Sequence, residues 1–126
     1  MKKALITLIL ALSPTITQAK FYDGQMLFDY ARGYEKSLNS QQATRGDNIK
    51  GGVFLGYVAA IIDSYGSEGA KVFCQPNGRL ETYADVTIKY LRENPDRRVN
   101  SAESLVIEAM QNKFMCNEPL DGLKIK

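Results

Sequence analysis

Two cysteines limit what this chain can become more than any other feature does. Cys74 lies in Phe73-Cys74-Gln75-Pro76, and Cys116 ends the run Phe114-Met115-Cys116. The chain opens like an export signal: Lys2 and Lys3, an apolar stretch over residues 4–12, then small residues at Thr17 and Ala19. That stretch is shorter than the roughly 20 residues needed to cross a bilayer of about 30 Å. It reads as a leader cleaved after Ala19, with residues 20–126 forming one domain. Export delivers both thiols to an oxidising compartment, the periplasm, where a disulfide is the default state. Cys74 and Cys116 stand 42 positions apart, and in the chain-entropy picture closing such a loop stabilises the fold by about 4 kcal/mol.

Charge excludes several partners. Without Lys2 and Lys3 the 16 basic residues fall to 14, against 14 acidic ones, so the exported chain is formally neutral. Nucleic acid or an anionic membrane would require a basic stripe. The only adjacent basic pair, Arg97-Arg98, has Glu93 and Asp96 close by, and neither partner is expected. Nor is a membrane association expected once the leader is gone.

The apolar pattern is helical throughout. Met26, Tyr30, Tyr34 and Leu38 recur every fourth residue and predict a helix over residues 25–38. Residues 39–47 are polar and read as a loop. A second helix is expected over 48–65, with Val53, Phe54, Tyr57, Ala60, Ile61 and Ser64 on one face. Its Gly52, Gly56 and Ala60 stand four apart and make a smooth strip, for close packing inside the molecule or for a homodimer through this helix. A third helix is expected over 81–94, stopped by Pro95 because a residue before proline leaves helical geometry. Asn100 with Glu103 reads as the capping box of a fourth helix, whose core stripe is Ala102, Leu105, Val106, Ala109, Met110 and Phe114. A short helical or extended piece is expected over 70–74, and an extended arm over 117–126. The expected class is all-α: one small bundle of four main helices and a short one, held by one disulfide, with the third and fourth helices as a hairpin.

The chemistry of catalysis is thin. The chain has no His, so no Ser-His-Asp triad, Cys-His dyad or His-containing metal site can be assembled from it. Cys74 and Cys116 are too far apart in sequence for a Cys-x-x-Cys redox pair. Asp63 and Glu68 are the carboxylates nearest a chain break, and both read as solvated. Neither catalysis, a metal nor a cofactor is expected, which leaves binding. Among the seven tyrosines, Tyr22 and Tyr65 lie near element ends and are the better contact candidates, since tyrosine is enriched at interfaces.

A longer pattern resembles a known family. It runs from Gly56-Tyr57-Val58 and Asp63 through Phe73-Cys74-Gln75-Pro76, Lys89-Tyr90-Leu91 and Asn94-Pro95. It closes with Ala102, Leu105-Val106, Ala109 and Phe114-Met115-Cys116. Over residues 50–116 this is similar to the Tai-type immunity proteins of the bacterial periplasm, with Met115 where that family usually carries proline. The resemblance implies a small helical protein, often dimeric, that protects its cell from a peptidoglycan amidase injected by type VI secretion. The implied partner is the cognate amidase toxin, whose active-site cleft the protein occludes. Of the polar loops, the one formed by Ser64, Tyr65, Gly66, Ser67, Glu68 and Gly69 is the expected plug. Its small residues can enter a narrow cleft, and Glu68 can pair with a basic rim. Two rival readings are an acid-stress chaperone of the periplasm and an orphan subunit of an envelope assembly.

Overall fold

The computed structural model describes residues 21–66, 72–74 and 78–116. The expected leader and the arm over 117–126 lie outside them, as do Ala70 and Lys71 of the piece expected over 70–74. The described chain forms α1 (Gly24–Ser37), α2 (Arg45–Tyr65), α3 (Leu80–Glu93) and α4 (Ala102–Lys113), with a 3-10 turn at Pro95–Val99. No strand occurs among the described residues. The only β pairing there is an isolated antiparallel bridge between Asp23 and Ser101. The short helical element is thus the turn after α3. Val72 and Phe73 form a bend instead.

Each helix start has a local cause. Asp23 Oδ1 accepts from the Met26 amide at 2.8 Å, satisfying a donor that the first turn leaves open. α2 begins three residues before the expected boundary. Thr44 and Asp47 form a reciprocal capping box: the Asp47 amide donates to Thr44 Oγ1 at 3.1 Å and the Thr44 amide to Asp47 Oδ2 at 3.0 Å. The Thr44 amide first, and then the Thr44 hydroxyl, which donates to Asp47 Oδ2 at 2.7 Å, hold the Asp47 carboxyl below its usual range. The cap of α4 is Ser101, not Asn100, and it accepts from the Ser104 amide at 3.3 Å. Asn100 is extended, and its carbonyl accepts from the Gly24 amide at 2.9 Å, while Ala102 N–H donates to the Tyr22 carbonyl at 3.0 Å. These two bonds stitch the start of α1 to the start of α4.

The core draws on all four helices. Leu27, Ala31 and Tyr34 enter it from α1, and Phe54, Val58, Ile61 and Ile62 from α2. Tyr83, Ala84, Ile88 and Leu91 come from α3, and Ala102, Leu105, Val106, Ala109 and Met110 from α4. The α4 stripe is as expected. The α1 stripe is rotated: Met26 and Leu38 are exposed at 43% and 69%. A step of four residues overshoots one turn by about 40°, which leaves Met26 about 100° round the helix from the centre of the buried face, while Leu38 is the C-cap, past the end of α1. Every fully buried side-chain nitrogen or oxygen among the described residues has a hydrogen-bond partner. Thr87, for example, donates to the Tyr83 carbonyl at 2.9 Å.

α1 packs most extensively along α2, and here the expected glycine strip fails. Gly52, Gly56 and Ala60 face solvent, and a Cβ built on Gly52 or Gly56 would meet nothing within 4 Å. The backbones instead approach through Gly51 and Gly33. A Cβ on Gly51 would sit 3.0 Å from Tyr34 Cα, and one on Gly33 would sit 2.5 Å from Lys50 Cβ. One residue of helix turns the surface by about 100°, enough to separate a packed glycine from a bare one. At the far side, α3 packs against α4. The 3-10 turn joins the end of one to the start of the other, so they run in opposite directions, as the hairpin reading requires.

Candidate functional site

Cys74 and Cys116 are joined by a disulfide. The bridge is one of several ties fixing the segment after α2 onto α4. The Cys74 amide donates to the Phe114 carbonyl at 2.9 Å. Phe73 is 1% exposed and belongs to the core. Gln111 Nε2 donates to the Val72 carbonyl at 3.2 Å. This stem of the loop is therefore locked covalently, by burial and by hydrogen bonds.

The other stem is locked from the opposite end of α4. Tyr65, in the last turn of α2, donates its hydroxyl to Glu103 Oε1 in the first turn of α4. That bond to a carboxylate raises the Tyr65 pKa above its usual value, with the negative charge of Glu103 adding to the effect. The two stems also meet directly: the Val72 amide donates to the Tyr65 carbonyl at 3.3 Å. The last turn of α2 and the segment Val72–Cys74 thus share a hydrogen-bonded base. Anchoring both ends of a connection limits the ordering cost when its apex binds a partner.

Of the six residues expected to form the plug, Ser64, Tyr65 and Gly66 are described. Ser64 is exposed near the end of α2, and Gly66 is its C-cap. Ser67, Glu68 and Gly69 lie outside the described residues. Tyr65 is a latch, with its hydroxyl already occupied by Glu103. Tyr22 is likewise engaged, edge to face with Tyr30 at 5.8 Å and Tyr57 at 5.5 Å between ring centroids. Sequence reasoning missed Gln111 and the true task of Glu103, which had been read as a capping residue. Nothing local in the sequence signals a bond across 38 positions.

A second concave feature lies between α3 and α4. It is an open groove of about 420 Å³ whose walls include Val86, Lys89, Tyr90, Arg97 and Lys113. Tyr90 donates to Glu108 Oε2 at 2.6 Å, and Arg97 pairs with Glu108 Oε1 at 2.8 Å. Burial first, then the bond to Glu108, pushes the Tyr90 hydroxyl up to about 12. Tyr90 and Arg97 are thus tied together through Glu108. Among the described residues, no cluster of three or more His, Cys, Asp or Glu side chains could hold a metal ion. No described helix is long and apolar enough to cross a membrane.

The latch carries a specific prediction. Tyr65→Phe keeps the ring and removes only the hydroxyl bond to Glu103. Amide exchange at Val72, which bonds to the Tyr65 carbonyl, is expected to quicken several-fold. Exchange at the buried Val58 should be unchanged, because local openings are independent of the global one. Equal protection of Val72 in both proteins would show that the latch does not hold the stem.

No curated protein and no solved structure matches the chain. The family model described as Rap1a immunity proteins matches residues 17–116. The immunity class read from residues 50–116 stands at this level, while the Tai type named there is not the family matched. The match also takes in α1, which had added nothing to the resemblance. With most of its length inside that match, including all four helices and both cysteines, the chain belongs to the Rap1a immunity protein family.

Proposed function

We propose that the protein is exported to the periplasm, loses residues 1–19, and there neutralises a peptidoglycan amidase delivered by type VI secretion. The inhibited state is a complex in which the connection between α2 and Phe73 enters the amidase cleft. One observation carries this reading: the two stems of that connection are fixed to opposite ends of α4 and bonded to each other. A stiffly mounted polar loop on a helical scaffold suits the plugging of a cleft, and membership of an immunity family supplies the class of partner. Peptidoglycan is the substrate such an enzyme would reach in the compartment that also oxidises Cys74 and Cys116.

Glu68 tests the loop. Reversing its charge should weaken inhibition through the basic rim of the cleft and leave the scaffold alone. In cells that produce the amidase in the periplasm, Glu68→Arg is expected to lower protection at least about tenfold, the scale of one interfacial charge pair. Its thermal melt should match the wild type. Full protection by Glu68→Arg would remove this loop from the contact surface.

A further inference from the structure

A hollow of about 340 Å³ opens beside the disulfide, walled by Val72, Gln111, Asn112, Met115 and Cys116. Val72 is 37% exposed and Met115 72% exposed. Apolar side chains scattered singly over a surface are ordinary, whereas apolar side chains gathered around one concavity suit a contact site. None of the five lining residues carries a charge, so the hollow fits an apolar group and not an ion. Its walls are fixed. The bridge to Cys74 holds Cys116, Gln111 Nε2 donates to the Val72 carbonyl at 3.2 Å, and the neighbouring Phe73 is buried in the core. Met115 is the adaptable part, because an unbranched thioether fits itself to irregular shapes.

We propose that this hollow receives an apolar side chain from the rim of the amidase cleft and so forms a second contact beside the Glu68 loop. The assignment rests on the inhibition reading above. Position in the chain carries it. Val72 comes four residues after Glu68, and at no more than about 3.6 Å per residue their Cα atoms lie within about 14 Å of each other. A protein interface of ordinary size covers about 800 Å² on each partner, a patch roughly 30 Å across. An amidase that takes Glu68 into its cleft therefore brings its rim within reach of the hollow. The two contacts differ in chemistry: Glu68 reads charge on the rim, and the hollow reads an apolar neighbour. An anchor seated in a pocket is where binding energy concentrates, and fixed walls keep the ordering cost low.

The test uses the amidase whose cleavage the unaltered protein inhibits. Met115→Glu puts a charge where an apolar group has to pack, and is expected to weaken inhibition at least about tenfold, because an unpaired charge is costly to desolvate. Its melt should be unchanged, since the Met115 side chain lies largely in solvent. Met115→Leu keeps the apolar contact and should inhibit to within about threefold of the unaltered protein. Brief peroxide treatment, read by mass spectrometry, adds a footprint: Met115 should form its sulfoxide at least about fivefold more slowly in the complex than alone. Undiminished inhibition by Met115→Glu, or equal oxidation of Met115 with and without the amidase, would overturn the proposal and leave the inhibition reading in place. Oxidation of Met115 in the free protein as slow as that of the fully buried Met110 would also overturn it, since the chain itself or a second copy would then cover the hollow. If the unaltered protein inhibits no candidate, the inhibition reading fails first and this contact falls with it.

Discussion

Replacing Cys74 and Cys116 together by serine should lower the stability of the oxidised protein by about 4 kcal/mol. For a domain of this size that is a fall in melting temperature of roughly 15–25 °C. The bridge spans 42 positions, so its loss returns a long stretch of conformational freedom to the unfolded chain. Small domains hold only about 5–15 kcal/mol in total, and a loss of this size leaves many of them marginal. The folded state should change little, because the Cys74 amide bond to the Phe114 carbonyl and the burial of Phe73 remain. The measurement is a pair of thermal melts with helical circular dichroism. Equal helix content at low temperature with a much lower midpoint is expected. A shift of only a few degrees would mean that the bridge constrains little that the core does not already constrain.

Phe73→Ala should be comparably severe, at about 3–5 kcal/mol by urea denaturation, the range for a buried phenylalanine cut to alanine. Phe73 is among the largest fully buried side chains, yet it sits in a bend outside any helix. It is the apolar anchor that draws the returning stem into the core. The cost should therefore appear twice, as lost stability and as weaker inhibition at temperatures where the variant is still folded. Phe73 adjoins Cys74, so combining this change with the cysteine replacement should cost less than the sum, since neighbouring sites share what they constrain. A loss below about 1 kcal/mol would show that the bend is not held by burial.

Much of this architecture was legible in the sequence, for physical reasons that differ between elements. The stripe Ala102, Leu105, Val106, Ala109 and Met110 mixes steps of three and four and so tracks a real helix face. All five are buried. Pro95 ended α3 because its ring forbids helical geometry just before it, and α3 does stop at Glu93. The cysteine pair was readable because a count of two leaves a single pairing within the chain. Errors arose where spacing was read without phase. Met26 lies two four-residue steps before Tyr34 and so falls about 80° off its face, and Leu38 lies past the end of α1. Gly52 and Gly56 look like packing residues, while Gly51 beside them makes the contact. The start of α2 was missed because Thr44 and Asp47 were counted as loop by polarity, although their spacing is that of a capping box.

The candidate site was less legible than the fold. The loop after α2 was singled out for its small residues and Glu68, and the bonds that hold its stems were not foreseen. Tyr65 meets Glu103 and Val72 meets Gln111 only because α2 and α4 are packed together. Such tertiary pairings leave no trace in local spacing. The class of partner came from similarity over a long stretch of chain, since fold alone does not assign function.

The most direct test of the central claim is inhibition of peptidoglycan cleavage. Purified, oxidised protein lacking residues 1–19 is titrated into candidate type VI amidases, and release of cleaved crosslinks is followed. Complete inhibition at one protein per amidase, with nanomolar affinity for one candidate, is the predicted result. Unimpaired cleavage by every candidate in the presence of folded, disulfide-bonded protein would contradict it.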